Sequence, residues 1–310
     1  VLLKDADLLL EKCGNDFEEI TEYQLSVRCL SEQTIVEDGK RRLRTKEDGG
    51  MNSSILQNPS DPDATYRKKA GKEHRGYAAN VEESVGKNGS VVTDYQLDSN
   101  NKSDSEFFQE HVEKIGPQEE KTIISADGAY SGEENTELAA KNNIDLVTTD
   151  LTGRDVDPVM GAFELNEDGT RVLHCPAGNA PRSNWHNKAT GIINISFERD
   201  KCANCPFAMH CKPKIFKKVS KLTVSRKMVN RALTQARMNT EQFKLLARIR
   251  NGVETVPSAL KNIYNVNHMP VRGKIPCKHF FGSKIAALNF RKLLRFRQGT
   301  GHYGQNPLLA

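Results

Sequence analysis

Long apolar runs are missing from this sequence. No uninterrupted apolar stretch approaches the roughly 18 residues that a membrane-spanning helix needs, and the mean hydropathy is −0.62. The same lack argues against a signal peptide, so we expect a cytoplasmic protein with no membrane partner. The first residue is Val1 rather than Met, and a helical pattern begins at once. We therefore expect the true N-terminus of the protein to lie upstream of this chain.

Acidic residues are scarce in the second half of the chain. Residues 1–150 contain 31 acids and 18 bases, whereas residues 151–310 contain 9 acids and 27 bases. From 201 to 310 there are 22 Lys and Arg but only two acids, Glu241 and Glu254. Surfaces that need only solubility mix both signs, so this asymmetry favours a polyanionic partner such as DNA or RNA. A merely solvated basic face is the alternative.

The seven cysteines are an odd number in a chain without secretory features, which argues against a disulfide framework. Four of them form a C-x26-C-x2-C-x5-C pattern, through Cys175, Cys202, Cys205 and Cys211. Four thiolates at such spacings could close a tetrahedral structural Zn²⁺ site, and His174 or His210 could replace a missing ligand. Free cysteines in a degenerate module are the alternative. We expect Cys13, Cys29 and Cys277 to be small core residues.

The pattern of apolar residues predicts an α/β fold. Apolar spacing predicts two helices in residues 1–45, and the polar stretch 46–76, broken by Pro59 and Pro62, predicts a long surface segment. A β-hairpin is predicted for GYAANVEES and SVVTDYQL, which are joined through Lys87 and Asn88.

Strands and helices then alternate. SEFFQEHVEKI and GEENTELAAKNN predict helices, and TIISAD and IDLVTTDL predict strands, which together imply a mixed sheet covered by helices. Residues 151–225, with short apolar runs and the clustered cysteines, predict a β-rich module that is either inserted or separate. Helical patterns return after it and end in FFGSKIAALNFRKLLRFRQ. We expect this last helix to pack an apolar face formed by Ile285, Leu288, Leu293 and Phe296.

Asp127 is the first candidate for chemistry. It follows a β-branched run and opens a Gly-rich turn in SADGAYSGEEN. The carboxyl ends of strands in α/β sheets are common ligand sites, and a carboxylate there can hold a hard divalent cation. The alternative is that Asp127 only caps the following turn.

Glu254 is the second candidate. Arg250 lies four residues before it and Lys261 seven after, so at about 100 degrees per residue all three would project from one helical face. One acid between two bases suits a metal carboxylate with phosphate-binding neighbours. Ordinary ion pairs on a solvated helix are the alternative, and Gly252 and Pro257 could kink the helix.

This arrangement resembles the Y-R-E-K signature of bacterial insertion-sequence transposases of the DDE type, although Ala247 stands where the signature has Tyr. The resemblance extends to LQNPSDPDATYRKKAGKEHRGYAANV, ADGAYSGEEN, CPAG with the later cysteines, RNGVET, and MPVRG followed by FFGSKIAALNFRKLL. It implies an RNase H-like domain, a mixed sheet flanked by helices, in which three carboxylates hold two Mg²⁺ or Mn²⁺ ions. These ions serve cleavage at transposon ends and strand transfer.

Site residues carry over from the resemblance one by one. Asp127 matches the second acid and Glu254 the third, while Arg250 and Lys261 would bind DNA phosphates. Arg272 in MPVRG could also contact phosphate, although a loop arginine is more often solvated. The first acid has no convincing match, so we expect it upstream of residue 1. The fallback candidates are Asp61 and Asp63.

The resemblance also implies a division into domains. Residues 1–45 would be the helical remainder of a truncated N-terminal region, 46–76 a polar surface segment, and 77–150 the first part of the catalytic domain. Residues 151–225 would be a Cys-rich insertion, a zinc ribbon if the cysteines bind metal, and 226–310 the helical end of the catalytic domain. The implied partners are double-stranded DNA, as terminal inverted repeats and target, and further copies of the chain. The implied location is the bacterial nucleoid when DNA is bound.

Two other classes of protein remain open. One is a non-catalytic DNA-binding remnant of a transposase, which the expected lack of the first acid favours. The other is a zinc-stabilised structural protein associated with RNA or DNA.

Overall fold

A computed structural model of the chain describes residues 2–14, 16–69, 71–87, 89–150, 153 and 155–299, without the side chain of residue 253. The helices are α1 (Leu2–Cys13), α2 (Thr21–Gln33), α3 (Asp104–Ile115), α4 (Glu133–Lys141), α5 (Arg199–Ala203), α6 (Ala208–Cys211), α7 (Arg226–Met238), α8 (Glu241–Val253), α9 (Thr255–Asn262) and α10 (Lys274–Arg297). The strands are β1 (Thr34–Glu37), β2 (Lys40–Leu43), β3 (Thr65–Lys69), β4 (Lys72–Gly86), β5 (Gly89–Ser99), β6 (Thr122–Ser125), β7 (Ile144–Val147), β8 (Glu164–Leu165), β9 (Val172–His174), β10 (Ser183–Asn187), β11 (Ile192–Glu198), β12 (Lys214–Ile215) and β13 (Val219–Ser225).

The chain divides into two compact units. The terminal unit combines Val1–Phe107 with Val253–Ala310, and the central unit is Phe108–Gly252. The predicted boundaries, after residues 45, 76, 150 and 225, differ from the boundaries of these two units. The predicted domains stay predictions.

The first 45 residues of the terminal unit contain the two predicted helices, α1 and α2, and a hairpin that the prediction missed. β1 and β2 pair antiparallel across Asp38 and Gly39, which have positive φ angles of 51° and 71°. Two consecutive positive φ angles suit a tight hairpin turn, and Asp-Gly is a frequent sequence for it. The Asp38-Gly39 pair is the feature of the sequence from which this hairpin could have been predicted.

Residues 46–76 were predicted to be a surface segment, but part of them is buried and is hydrogen-bonded to α2. The Leu56 N–H donates to the Glu32 carboxylate at 2.6 Å, and the Gln33 amide donates to the Leu56 carbonyl at 2.5 Å. Leu56 is only 1% exposed, and Ile55 and Ala64 are buried as well. The segment also contains β3, which pairs with β4.

The predicted hairpin of β4 and β5 is confirmed, with Gly86 opposite Gly89, and Asn88 lies outside the described residues. Together with β3 these strands form an antiparallel sheet in the order β3-β4-β5. α10 contributes four residues to the buried core beside β5, namely Cys277, Phe281, Ile285 and Leu288. The apolar face predicted for this helix is thus confirmed at two positions and wrong at Leu293 and Phe296, which are 52% and 48% exposed.

The first part of the central unit is a small α/β element. β6 and β7 pair in parallel, and α3 and α4 cover them through a buried cluster of Phe108, Val112, Ala139 and Ile144. The four predicted elements are therefore confirmed. α4 begins with Glu133 and Glu134, whose negative charges suit the positive end of the helix dipole.

The second part of the central unit is β-rich, as predicted for 151–225, although residues 151, 152 and 154 lie outside the described range. Its antiparallel sheet has the order β10-β11-β13-β12, and β8 pairs with β9. Ile193, Ile195 and Phe197 alternate along β11 and are each at most 2% exposed, so one sheet face builds the core.

The mixed α/β class is confirmed, with the described strands distributed over five small sheets. A single RNase H-like sheet and the insertion of the Cys-rich part stay predictions. Among the helices of the described ranges, none has the length and apolar content to cross a membrane.

Candidate functional site

Asp127 lies just beyond the carboxyl end of β6. The Ala126 N–H still pairs with the Val147 carbonyl of β7 at 2.9 Å, so the sheet fixes the chain up to this residue. The Asp127 carbonyl accepts the Tyr130 N–H at 3.0 Å and starts a short 3₁₀ turn, but its carboxylate makes no capping hydrogen bond. The alternative reading of Asp127 as a side-chain cap is therefore wrong, and its side chain is 64% exposed.

Asn135 holds the turn after Asp127 in place, and the sequence analysis missed this residue. Its side chain is fully buried, donates to the Tyr130 carbonyl at 2.8 Å and accepts from the Gln109 amide at 2.9 Å. A buried amide with both ends bonded fixes its surroundings, because leaving either end unpaired would cost about 1–3 kcal/mol. An asparagine inside the predicted helix GEENTELAAKNN was the only signal in the sequence.

Arg250 in α8 lies beside Asp127 within the central unit. Its Nη1 is 3.8 Å from the Asp127 carboxylate, and the Arg250 side chain is 23% exposed. The Arg250 Nε is buried and has no hydrogen-bond partner among the described residues. The structure thus brings together a predicted acid and a predicted phosphate-binding base.

Glu254 occupies the turn between α8, which ends at Val253, and α9, which begins at Thr255. The predicted helix around Glu254 is therefore interrupted at this residue. An interruption was expected from Gly252 and Pro257. Glu254 is exposed, and its carboxylate makes no capping hydrogen bond with the start of α9. The Glu254 carboxylate is therefore accessible to a ligand.

The two remaining predicted bases lie in the terminal unit. Lys261 is exposed in the last turn of α9. Arg272 is exposed in the loop before α10, and its Nη1 donates to the carbonyls of Met269 and Val271 at 3.0 and 3.1 Å. Part of its guanidinium is thus used to hold its own loop.

The fallback acids Asp61 and Asp63 have structural partners. Asp61 is 6% exposed and accepts the Tyr77 hydroxyl at 2.5 Å, and Asp63 accepts the Lys274 N–H at 3.4 Å. Burial, together with the Asp61 hydrogen bond, raises the pKa of Tyr77. A buried carboxylate that already accepts a phenol is poorly placed to bind a cation, so Asp61 is a weak candidate for the missing acid.

The seven cysteines are free thiols in this structure, and Cys277 is buried whereas Cys13 and Cys29 are half-buried. The four clustered cysteines line one pocket of the central unit. His174 and His210, the predicted substitutes, instead contact Glu164 and Asp157 through Nδ1 at 2.8 Å each.

No group of three or more His, Cys, Asp or Glu side chains in the described part of the chain has an arrangement that could hold a metal ion. The predicted Mg²⁺, Mn²⁺ and Zn²⁺ ligands therefore stay predictions.

Comparison with known proteins bears on the class of protein. Residues 174–294, about two fifths of the chain, match the family model of the transposase DDE domain, and this match supports a DDE-type transposase. The matched range contains Arg250, Glu254 and Lys261 but not Asp127. Neither the curated proteins nor the solved structures gave a match.

Proposed function

We propose that this chain is the catalytic part of a DNA transposase that cleaves DNA at transposon ends and joins the freed 3′-hydroxyl to target DNA. The observation that carries the proposal is the match of residues 174–294 to the transposase DDE domain. DDE transposase domains generally use divalent metal ions. The segment around Glu254 lies inside this match.

In this proposal Asp127 and Glu254 are metal-binding carboxylates. Both carboxylates are free of capping hydrogen bonds, and both residues are exposed. Two Mg²⁺ or Mn²⁺ ions would supply activation of the attacking oxygen and stabilisation of the leaving oxygen. The contribution of the chain is to present oxygen ligands, which these hard cations prefer.

Arg250, Lys261 and Arg272 are the proposed phosphate contacts. The position of Arg250, with its Nη1 3.8 Å from the Asp127 carboxylate, supports this role, because it places a guanidinium beside a proposed metal ligand. A guanidinium can donate two parallel hydrogen bonds to a phosphate, whereas Lys261 would act as a point charge. Arg272 could use only the donors that its loop carbonyls leave free.

The finer fold and partner assignments belong to the same proposal. The parallel pairing of β6 and β7, with Asp127 just past it, supports an RNase H-like core. We infer double-stranded transposon ends and target DNA as partners, a homo-oligomer on paired ends, and association with the nucleoid through DNA. The basic composition of 201–310 supports the DNA partner.

The test compares the only two acids of residues 201–310. Two forms of the protein are prepared: this chain, and a longer form that includes the coding sequence upstream of Val1. Each form is incubated with its transposon-end DNA and Mg²⁺ or Mn²⁺. Glu254→Gln should lower the cleavage rate at least about a hundredfold, because metal-supplied charge stabilisation is worth several kcal/mol. Glu241→Gln is the matched control, since Glu241 is 87% exposed and pairs only locally with Lys244. It should cleave at the wild-type rate.

Equal rates for Glu254→Gln and wild type would refute the catalytic assignment. DNA binding without cleavage by either form of the protein would favour the non-catalytic DNA-binding remnant. Loss of DNA binding in Cys202→Ser, with the fold intact, would favour a zinc-stabilised structural protein.

A further inference from the structure

Cys175 and the later cysteines Cys202, Cys205 and Cys211 converge on one pocket of the central unit. Cys175 follows β9, Cys202 lies in α5, Cys205 follows α5, and Cys211 ends α6, yet all four line the same pocket. The pocket has a volume of ≈ 20 Å³. That is roughly the space for one atom-sized occupant.

Tight turns present these cysteines. The Gly178 N–H donates to the Cys175 carbonyl at 2.7 Å, and the Cys205 N–H donates to the Cys202 carbonyl at 3.3 Å. Gly178 has a positive φ of 74°, so the turn after Cys175 depends on a glycine. Backbone hydrogen bonds, rather than the thiols themselves, thus define the conformation around three of the four cysteines.

The donor set in the pocket is chemically uniform. Its fourteen lining residues include four thiols but no histidine or carboxylate, and the surroundings are largely apolar, with Phe163 and Phe197 among them. Four sulfur donors select a soft or borderline cation and suit the tetrahedral geometry of structural zinc. Lys201 also lines the pocket and would offset part of the negative charge of four thiolates.

We propose that Cys175, Cys202, Cys205 and Cys211 bind one structural Zn²⁺ ion in this pocket. Zinc displaces the thiol protons to solvent as the four Zn–S bonds form, and the sulfurs draw together, since the side chains as described are not yet a metal-holding group. The ion would fasten the turns to the sheet, because three of the four cysteines pack against the core of β11 and β13. This inference is independent of the proposed transposase chemistry.

The experiment measures metal content and ligand type in the full chain. After purification under reducing conditions and dialysis against zinc, elemental analysis should find about one zinc per chain. Cobalt substitution should give the thiolate-to-metal charge-transfer absorption of a four-sulfur site. Cys202→Ser should weaken zinc binding by on the order of a hundredfold or more, exceeding the 10–100-fold effect of losing a supporting contact.

Two variants control for folding and for the number of cysteines. Cys29→Ser removes a half-buried thiol outside the pocket and should leave zinc binding unchanged. Cys205→His supplies another zinc ligand and should retain the metal, whereas Cys205→Ser should lose it.

The proposal is overturned if folded wild-type protein takes up less than about a tenth of an equivalent of zinc, or if Cys29→Ser and Cys202→Ser lose equal amounts. A mass lower by two or four hydrogens before reduction would show disulfides instead. If the serine variants fail to fold, the wild-type cobalt spectrum decides, because the absorption depends on how many thiolates bind.

Discussion

At the scale of single residues, a two-point ion pair joins β7 to α7. Arg237 donates to both oxygens of Asp145, at 2.9 and 2.7 Å, and the Asp145 side chain is only 22% exposed. These hydrogen bonds hold the pKa of Asp145 below its usual value, against the opposing effect of burial. The pair should therefore stabilise the fold while Asp145 is ionised.

We expect Asp145→Asn to lower the free energy of unfolding by about 1 kcal/mol at neutral pH, a value discounted for partial exposure. A depressed folded pKa gives stability that is complete above the unfolded value of 3.8 and is lost as pH falls through the lower folded value. The difference between wild type and variant should thus shrink below about pH 4. Urea unfolding at several pH values measures it.

Asp200→Asn is the control for this prediction. Asp200 is 87% exposed and 3.9 Å from Arg199, so its removal should change the free energy of unfolding by less than about 0.5 kcal/mol at any pH. Equal effects of the two substitutions would mean that the Arg237 contact adds nothing.

At the scale of elements, one glycine allows α10 to approach β5. A Cβ built on Gly282 would overlap the hydroxyl of Tyr95 and lie 2.6 Å from its ring carbon Cζ. Tyr95 also packs on the Phe281 ring, with centroids 5.8 Å apart, so it has little room to move. Close packing here therefore requires the absence of a side chain.

We expect Gly282→Ala to destabilise the chain by about 1–2 kcal/mol. Alanine favours a helix by about 1 kcal/mol over glycine, but overpacking a core typically costs 1–3 kcal/mol or more and wins here. Thermal unfolding of the variant measures the net effect. In the double variant Gly282→Ala with Tyr95→Phe, removal of the nearest clashing atom should recover part of the loss.

Gly252→Ala is the matched control, because nothing lies within 4 Å of a Cβ at this helical glycine. It should leave stability unchanged or raise it by up to about 1 kcal/mol. A stabilising Gly282→Ala would contradict the packing argument.

Sequence patterns predicted elements well where the local signal was complete. The β4–β5 hairpin and helices α3 and α4 followed from apolar spacing and turn residues. β1 and β2 were missed because their Asp38-Gly39 turn lies in a charged stretch, and β3 because Pro59 and Pro62 obscured the strand that follows them. β3 forms a tight antiparallel hairpin with β4, which begins at Lys72 directly after it, and this pairing stabilises a strand of largely charged residues.

Some features of the candidate site could likewise be predicted from the sequence, and others could not. The position of Asp127 past a strand could be predicted, since β-branched residues precede it. The C-x2-C pair was visible, but the convergence of Cys175 with residues 27 and more positions away depends on the tertiary fold. Likewise, the support that Asn135 gives to the turn at Asp127 could not be predicted from its neighbours alone, because the Gln109 amide that bonds to it belongs to α3, 26 residues earlier.

At the scale of the whole molecule, the separation of charge along the chain should govern DNA binding. Residues 1–150 carry 31 acids against 18 bases, and 201–310 carry two acids against 22 bases. A protein that neutralises phosphates releases counterions, so the logarithm of its affinity falls with the logarithm of salt by about 0.9 per phosphate contact. The slope therefore counts the contacts.

We expect the double variant Arg250→Gln with Lys261→Gln to reduce this slope by about 1.8, since each proposed phosphate contact contributes about 0.9. The slope is measured by fluorescence anisotropy of double-stranded DNA across a salt series, in a buffer without Mg²⁺ so that the DNA is not cleaved. Lys12→Gln with Lys46→Gln changes the net charge equally, at exposed positions of the acid-rich half, and should leave the slope within error of wild type. Equal reductions by both pairs would show that net charge alone, rather than contact at Arg250 and Lys261, sets the affinity.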